Sequence, residues 1–241
     1  MSKTTYKEKN IKDFFKDWQL DHESREYLKY HSKRYKFLLN KISNIIDENK
    51  NYQILDIGPA YQTALLRNGA PDTSIDTMGF KDKRLPPRDK ESHHEVNLNK
   101  TEQFVYSKNY DLIILAEVLE HLYTSPTIIL NYLRSILNNN AYLIIQTPNA
   151  SALWKRISLL LGKNPYEMIR INSDKNPGHF REYTSKELKK MVKEAGFKII
   201  DFSINNNFNK TNLKHRVCDS FSNFLPQTFR EGITICLQKT L

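Results

Sequence analysis

Between positions 21 and 48, apolar residues recur at three-, four- and seven-residue steps: Leu28, Tyr35, Leu38, Ile42 and Ile45, with charges between them. That spacing predicts an amphipathic helix. Short apolar runs then alternate with helical patterns. Residues 52–57 (YQILDI) read as a strand, and 63–69 (TALLRNG) as a helix stopping at Gly69. Residues 74–80 and 93–98 read as weaker strands. Residues 111–118 (DLIILAEV) and 141–147 (AYLIIQT) are apolar enough to be buried on both faces.

Helix boundaries are marked by side-chain chemistry. Ser125 precedes Pro126, an N-cap followed by proline at the first helical position. Thr184-x-x-Glu187 is a capping box, and the helix it opens stops at Gly196. Residues 197–202 and 233–238 read as the last strands. Strands alternating with helices predict an α/β fold, a mostly parallel sheet with helices on both faces. Residues 1–50 read as a helical extension, and 51–241 as one domain with insertions at 149–181 and 203–231.

Composition narrows the function classes. The 241 residues are 39% hydrophobic and 27% charged, as in a globular protein. The start, MSKTTYKEKN, lacks the apolar run of a secretory signal, and no stretch of about 20 apolar residues is present to span a bilayer. Cys218 and Cys236 have no metal or redox spacing, so a cytoplasmic setting is expected. Net charge is +10, and residues 151–241 carry 16 basic against 8 acidic residues. Such flanks attract anions or serve as a solvated surface.

Candidate chemistry lies where strands end. Asp56-Ile57-Gly58-Pro59-Ala60 closes the first strand, and Gly58 allows a sharp turn and close backbone approach to a ligand. Glu117 stands where the strand 111–118 emerges. Thr147-Pro148-Asn149 ends a strand that proline cannot continue.

The segments YDLIILAEVLEHL, ILNYLRSILNNNAYLIIQTPN and HFREYTSKELKKMVKEAGFKIIDF, in that order, resemble class I S-adenosylmethionine-dependent methyltransferases. They are most similar to the group that includes the ubiquinone-biosynthesis O-methyltransferases, over about residues 50–202. The resemblance implies a Rossmann-like seven-stranded sheet with an antiparallel last strand and the cofactor over the ends of strands one, two and four. It implies S-adenosyl-L-methionine as cofactor, with S-adenosyl-L-homocysteine as product. Asp56, Gly58, Pro59 and Ala60 match the first cofactor motif, although Ala60 and Gln62 stand where further glycines usually stand. Glu117 and Val118 fall near the methionine part, and Asn97 and Leu98 near the adenine. The acid that usually binds the ribose is missing: its place falls at Met78, Gly79 or Phe80, with Asp76 and Asp82 on either side.

His121 and His179 are candidate general bases, and Tyr183 could align a substrate. No metal ligand set is expected. The segment Trp154 to Ile169 could form an apolar lid, pack plainly, or touch a membrane surface. AEVL replaces the Asn/Asp-Pro-Pro-aromatic motif of exocyclic-amine methylation, and neither cysteine lies near the expected pocket, which disfavours cytosine C5 chemistry. The expected acceptor is a small molecule methylated on oxygen, of anionic, sugar, lipid or metabolite type. Structured RNA is the alternative acceptor. A non-catalytic module with a degenerate cofactor loop, or an NAD-linked dehydrogenase, are the rivals from other classes.

Overall fold

The computed structural model describes residues 11, 13–46, 51–103, 108–170, 178–210 and 212–240. Helix α1 (His22–Ile45) precedes the sheet, and the Asp21 side chain caps it by accepting from the Ser24 amide at 2.7 Å. The strands are β1 (Ile54–Ile57), β2 (Ile75–Met78), β3 (His93–His94), β4 (Tyr110–Ala116), β5 (Leu137–Pro148), β6 (Phe197–Asn205) and β7 (Gly232–Lys239). Helix α2 (Tyr61–Gly69) joins β1 to β2, α3 (Pro126–Ser135) joins β4 to β5, and α5 (Ser185–Glu194) leads into β6. Helices α4 (Leu153–Leu160) and α6 (Leu213–Ser222) lie within the two insertions.

The strands form one seven-stranded sheet in the order β3-β2-β1-β4-β5-β7-β6. All neighbours are parallel except β7, which runs antiparallel to β5 and β6. Chain order reverses between β1 and β4, and a crevice opens there beyond the carboxyl ends of the strands.

The alternation of a pleated strand divides the core into two layers. Leu55, Ile57, Ile113, Leu115, Leu143 and Ile145 face one layer, with Leu188 and Val192 of α5. Ile54, Leu112, Ile114 and Ile144 face the other, with Tyr35, Leu38, Leu39 and Ile42 of α1. These four α1 residues are wholly buried, and Leu38, Leu39 and Ile42 each contribute roughly 1.5–3 kcal/mol by leaving water. The helical extension is thus part of the core.

The capping box at α5 forms as its spacing predicts: Glu187 N donates to Thr184 Oγ1 at 3.3 Å, and Thr184 N donates to Glu187 Oε2 at 2.8 Å. Other boundaries move. Helix α2 starts at Tyr61 rather than at 63, and β3 is only two residues long. Strand β5 runs back to Leu137, and β6 runs on to Asn205 because it pairs with β7 as far as Gly232. Among the described residues, no helix is long and apolar enough to cross a membrane.

Candidate active site

The β1–α2 turn forms the floor of the crevice. Gly58 has φ +73°, and a Cβ there would lie 2.7 Å from Val118 Cγ2. Only glycine satisfies both the left-handed backbone and this close approach. Gly58 N donates to Met78 O at 2.9 Å, which ties the turn to the end of β2.

Asp56 lies below this turn and is fully buried. It accepts from Thr63 Oγ1 at 2.6 Å and from Gln62 Nε2 at 3.5 Å. Thr63 Oγ1 in turn accepts from Ala60 N at 3.1 Å. Burial pushes the Asp56 carboxyl up to about 7, against the two hydrogen bonds. Asp56 therefore braces the loop from within rather than lining the cavity.

Above the turn lies a cleft of about 720 Å³, lined by Gly58, Pro59, Ala60, Gly79, Phe80, Asn97, Leu98, Glu117 and Val118, with Arg34 and Asp82 on its wall. Of the two acids near the end of β2, only Asp82 faces this space, gripped by Arg84 Nε at 2.9 Å and Nη2 at 2.7 Å. Asp76 is buried, accepting from Ser92 N, Lys108 Nζ and Tyr110 Oη at 2.9, 2.6 and 3.0 Å. The Asn97 side-chain oxygen accepts from Asn99 N at 3.0 Å, which pins the chain after β3.

A second cavity, about 330 Å³, adjoins the cleft. Tyr27, Glu117, His121 and Arg170 line both spaces. Glu117 leaves β4 at φ +56°, a conformation rarely adopted by a residue with a side chain. Burial, and then the charge of Glu120, push Glu117 up to about 7. Burial likewise raises Glu120 to about 7. His121 Nδ1 lies 2.9 Å from the Gly178 carbonyl oxygen, and His179 Nδ1 lies 3.0 Å from Glu182 Oε1. The two imidazoles meet edge to face at 4.8 Å. Burial, then His121, hold His179 down at about 4. Lys155, ion-paired with Glu182, is lowered to about 8 by burial.

The family model described as "Methyltransferase domain" matches residues 27–201. The chain belongs to this methyltransferase family. Solved structures share its fold. A SAM-dependent methyltransferase from Archaeoglobus fulgidus aligns with TM-score 0.58 and 15% identity over 91% of this chain and 100% of that one. Magnesium protoporphyrin IX methyltransferase from Synechocystis with bound SAH aligns with TM-score 0.55 and 12% identity, covering 96% and 93% of the two chains. The plantazolicin methyltransferase, solved with a triazolic desmethyl analogue and SAH, aligns with TM-score 0.57 and 14% identity, covering 97% and 96%. A comparison with the curated proteins found no match.

In this methyltransferase the expected residues Gly58, Pro59, Ala60, Gly79, Phe80, Asn97, Leu98, Glu117 and Val118 are brought together around one cleft. Asp56 is beneath it. His121 and His179 meet at the second cavity, whereas Tyr183 is packed into the core at 2% exposure and its carbonyl receives the Ala150 amide at 3.0 Å. Tyr183 therefore supports the chain next to Asn149 and does not reach the cavity. The residue that sequence patterning missed is Arg34. Its guanidinium donates to His31 Nδ1 at 3.1 Å, Gln146 Oε1 at 3.3 Å and Gln62 Oε1 at 3.4 Å. Its signal was a charge adjoining the apolar stripe of α1, next to Tyr35. Gln62, which looked like a lost glycine, joins α1 to the turn after β1.

Proposed function

We propose that this methyltransferase takes its methyl group from S-adenosylmethionine and delivers it to a hydroxyl of a small polar acceptor. The observation that carries this is the junction of the two cavities, where Glu117 and His121 face both. The 720 Å³ cleft has the size and the backbone-lined floor that a nucleoside cofactor needs. Arg34 is almost fully buried, bonded to neutral acceptors, and on the cleft wall, which suits the carboxylate of the methionine part. Asp82 is the acid available to the ribose hydroxyls. Phe80, Val96 and Leu98 give apolar surface for the adenine.

When bound, the cofactor supplies a methyl group on a sulfonium, whose departure leaves a neutral thioether. This chain's residues then have two tasks, alignment and proton removal. The Glu117 carboxylate is placed to take the hydroxyl proton of the acceptor, to which the cofactor would supply its methyl group in exchange for the carbon–sulfur bond. A group near 7 divides evenly between its base and acid forms at neutral pH, which suits this step. His121 and His179 line the acceptor cavity with Glu117. Trp154, Lys155 and Arg170, from the 149–181 insertion, help cover the acceptor cavity.

Structured RNA as acceptor is favoured by a separate open groove of about 860 Å³ that Lys33, Lys36, Lys210 and Arg216 line. Retention of RNA that weakens steeply with salt, together with methyl incorporation, would select it over a small molecule. Calorimetric titration with S-adenosylmethionine tests the reading as a whole. Binding that Gly58→Val abolishes is the expected result. No binding at millimolar cofactor would replace this reading with a non-catalytic module.

A further inference from the structure

Glu120, His121 and His179 cluster at the acceptor cavity. The Gly178 carbonyl can only accept, so His121 Nδ1, at 2.9 Å, carries a hydrogen, and Nε2 is the ring nitrogen left to serve as a ligand. His179 Nδ1 donates in the same way to Glu182 Oε1 at 3.0 Å. Glu120 has zero exposure; its Oε2 accepts from Thr147 Oγ1 at 3.0 Å, while Oε1 is buried without a hydrogen-bond partner. That unpartnered oxygen lies 4.0 Å from His121 Nε2. One ligand atom from each of Glu120, His121 and His179 falls within 4.8 Å of the others.

We propose that Glu120, His121 and His179 bind one divalent transition-metal ion, placed to hold the acceptor oxygen beside the cofactor cleft. This rests on the acceptor cavity proposed above and goes beyond the expectation that no metal is used. The fold builds the site from two directions. The 3-10 turn Leu119–His121 after β4 supplies Glu120 and His121. The Phe180 amide donates to the Glu120 carbonyl at 2.8 Å, which brings His179 alongside.

Local charge points the same way. Around the cavity Glu182 is paired with Lys155, and Glu231 with Lys210 at 2.9 Å. Among the described residues no Lys or Arg forms an ion pair with Glu117 or Glu120, so the cavity has carboxylates in excess of cations. A buried carboxylate oxygen without a partner is costly, and a cation removes that cost. Imidazole tethered by a carbonyl or carboxylate is the usual outer arrangement of a metal-bound histidine. Two imidazole nitrogens and one carboxylate favour zinc, manganese or iron over magnesium or calcium. Three protein ligands leave positions open for the acceptor.

A hydroxyl on the ion loses its proton more readily. That proton would pass to Glu117, and the acceptor oxygen would bond to the methyl carbon as the bond from that carbon to the cofactor sulfur breaks, leaving S-adenosylhomocysteine and the methylated product to dissociate. Glu120 and the histidines are not consumed.

The test uses the full chain, stripped with chelator and titrated with Co²⁺, Zn²⁺ and Mn²⁺. Bound metal is counted after dialysis, and Co²⁺ is followed by its visible absorption. One ion per chain is expected. His179→Ala and Glu120→Gln each weaken binding at least tenfold, and Glu182→Gln weakens it about tenfold. His215→Ala, whose ring stacks on Trp154 outside the cluster, binds metal as the wild type does. Absence of binding overturns the proposal. So does binding unchanged in both ligand variants while they keep the wild-type circular dichroism. Calorimetry of the metal-free chain with S-adenosylmethionine separates the two readings. Cofactor binding without metal binding removes the metal site and leaves the methyltransferase reading. Metal binding without cofactor binding keeps the metal site and removes the cofactor reading.

Discussion

Thr63 Oγ1 donates a 2.6 Å hydrogen bond to the buried carboxylate of Asp56. The pair locks the first turn of α2 onto the end of β1, directly under the cofactor cleft. Thr63 has zero exposure, and valine has nearly its shape. Thr63→Val should therefore cost about 1–3 kcal/mol, the loss of the bond to the buried acid and of the one accepted from Ala60 N rather than a packing defect. Urea unfolding monitored by fluorescence measures it, and a loss below a few tenths of a kcal/mol would count against this role.

The same carboxylate gives a pH dependence. Burial raises Asp56 from 3.8 to about 7, so between those values the folded chain binds more protons than the unfolded one. Stability contributed by this group is full below about pH 4 and is lost as pH rises through about 7. The three-unit rise bounds the effect at roughly 4 kcal/mol. Asp56→Asn cannot ionise. Its melting temperature should fall less steeply than that of the wild type between about pH 4 and 7. Parallel curves for the two proteins would refute the assignment.

Gly58 has two separable reasons to be glycine. Its φ of +73° disfavours any side chain, and a Cβ would meet Val118 Cγ2 at 2.7 Å. Gly58→Ala should destabilise by about 1–3 kcal/mol and weaken cofactor binding. Adding Val118→Ala removes the collision but not the backbone strain. A double-mutant cycle should therefore show partial rescue, and full additivity would argue that the two residues do not touch.

Arg34→Met keeps the buried stem and removes the guanidinium. Cofactor affinity should fall at least tenfold in calorimetry, since a charged hydrogen bond is worth about 1.5–3 kcal/mol. Arg34→Lys should restore little, because one ammonium cannot reach His31, Gln62 and Gln146 together. Equal affinity for wild type and Arg34→Met would place the cofactor carboxylate elsewhere.

Much of the fold was legible because periodicity survives in local sequence. The β4 and β5 runs are apolar on both faces, and Thr184 and Glu187 cap the helix they predict. The Asp56–Gly58 turn was legible because glycine marks a backbone demand. What local sequence could not show was which acid faces the cleft. Asp76 and Asp82 are equally plausible by spacing, and it is Ser92, Lys108 and Tyr110, 16 to 34 residues from Asp76, that hold it in the interior. Gln62 was misleading for the same reason: its partner Arg34 is 28 residues away on another helix. Tyr183 carries no local sign of being buried, since its surroundings are supplied by β5 and the core.

Glu117 is held at a cost to stability. Its φ of +56° and its buried charge next to Glu120 are both unfavourable to folding. Glu117→Gly relieves the backbone and removes the carboxylate, so the variant should unfold at higher denaturant, by about 1 kcal/mol. Activity should move the other way. Removing a general base typically lowers kcat by about 10²–10⁴-fold. Glu117→Gln separates the two effects, because it keeps the strain and loses only the base. It should therefore match Glu117→Gly in lost kcat while gaining less stability. A glycine variant that is both more stable and fully active would show that neither the strain nor the carboxylate serves methyl transfer.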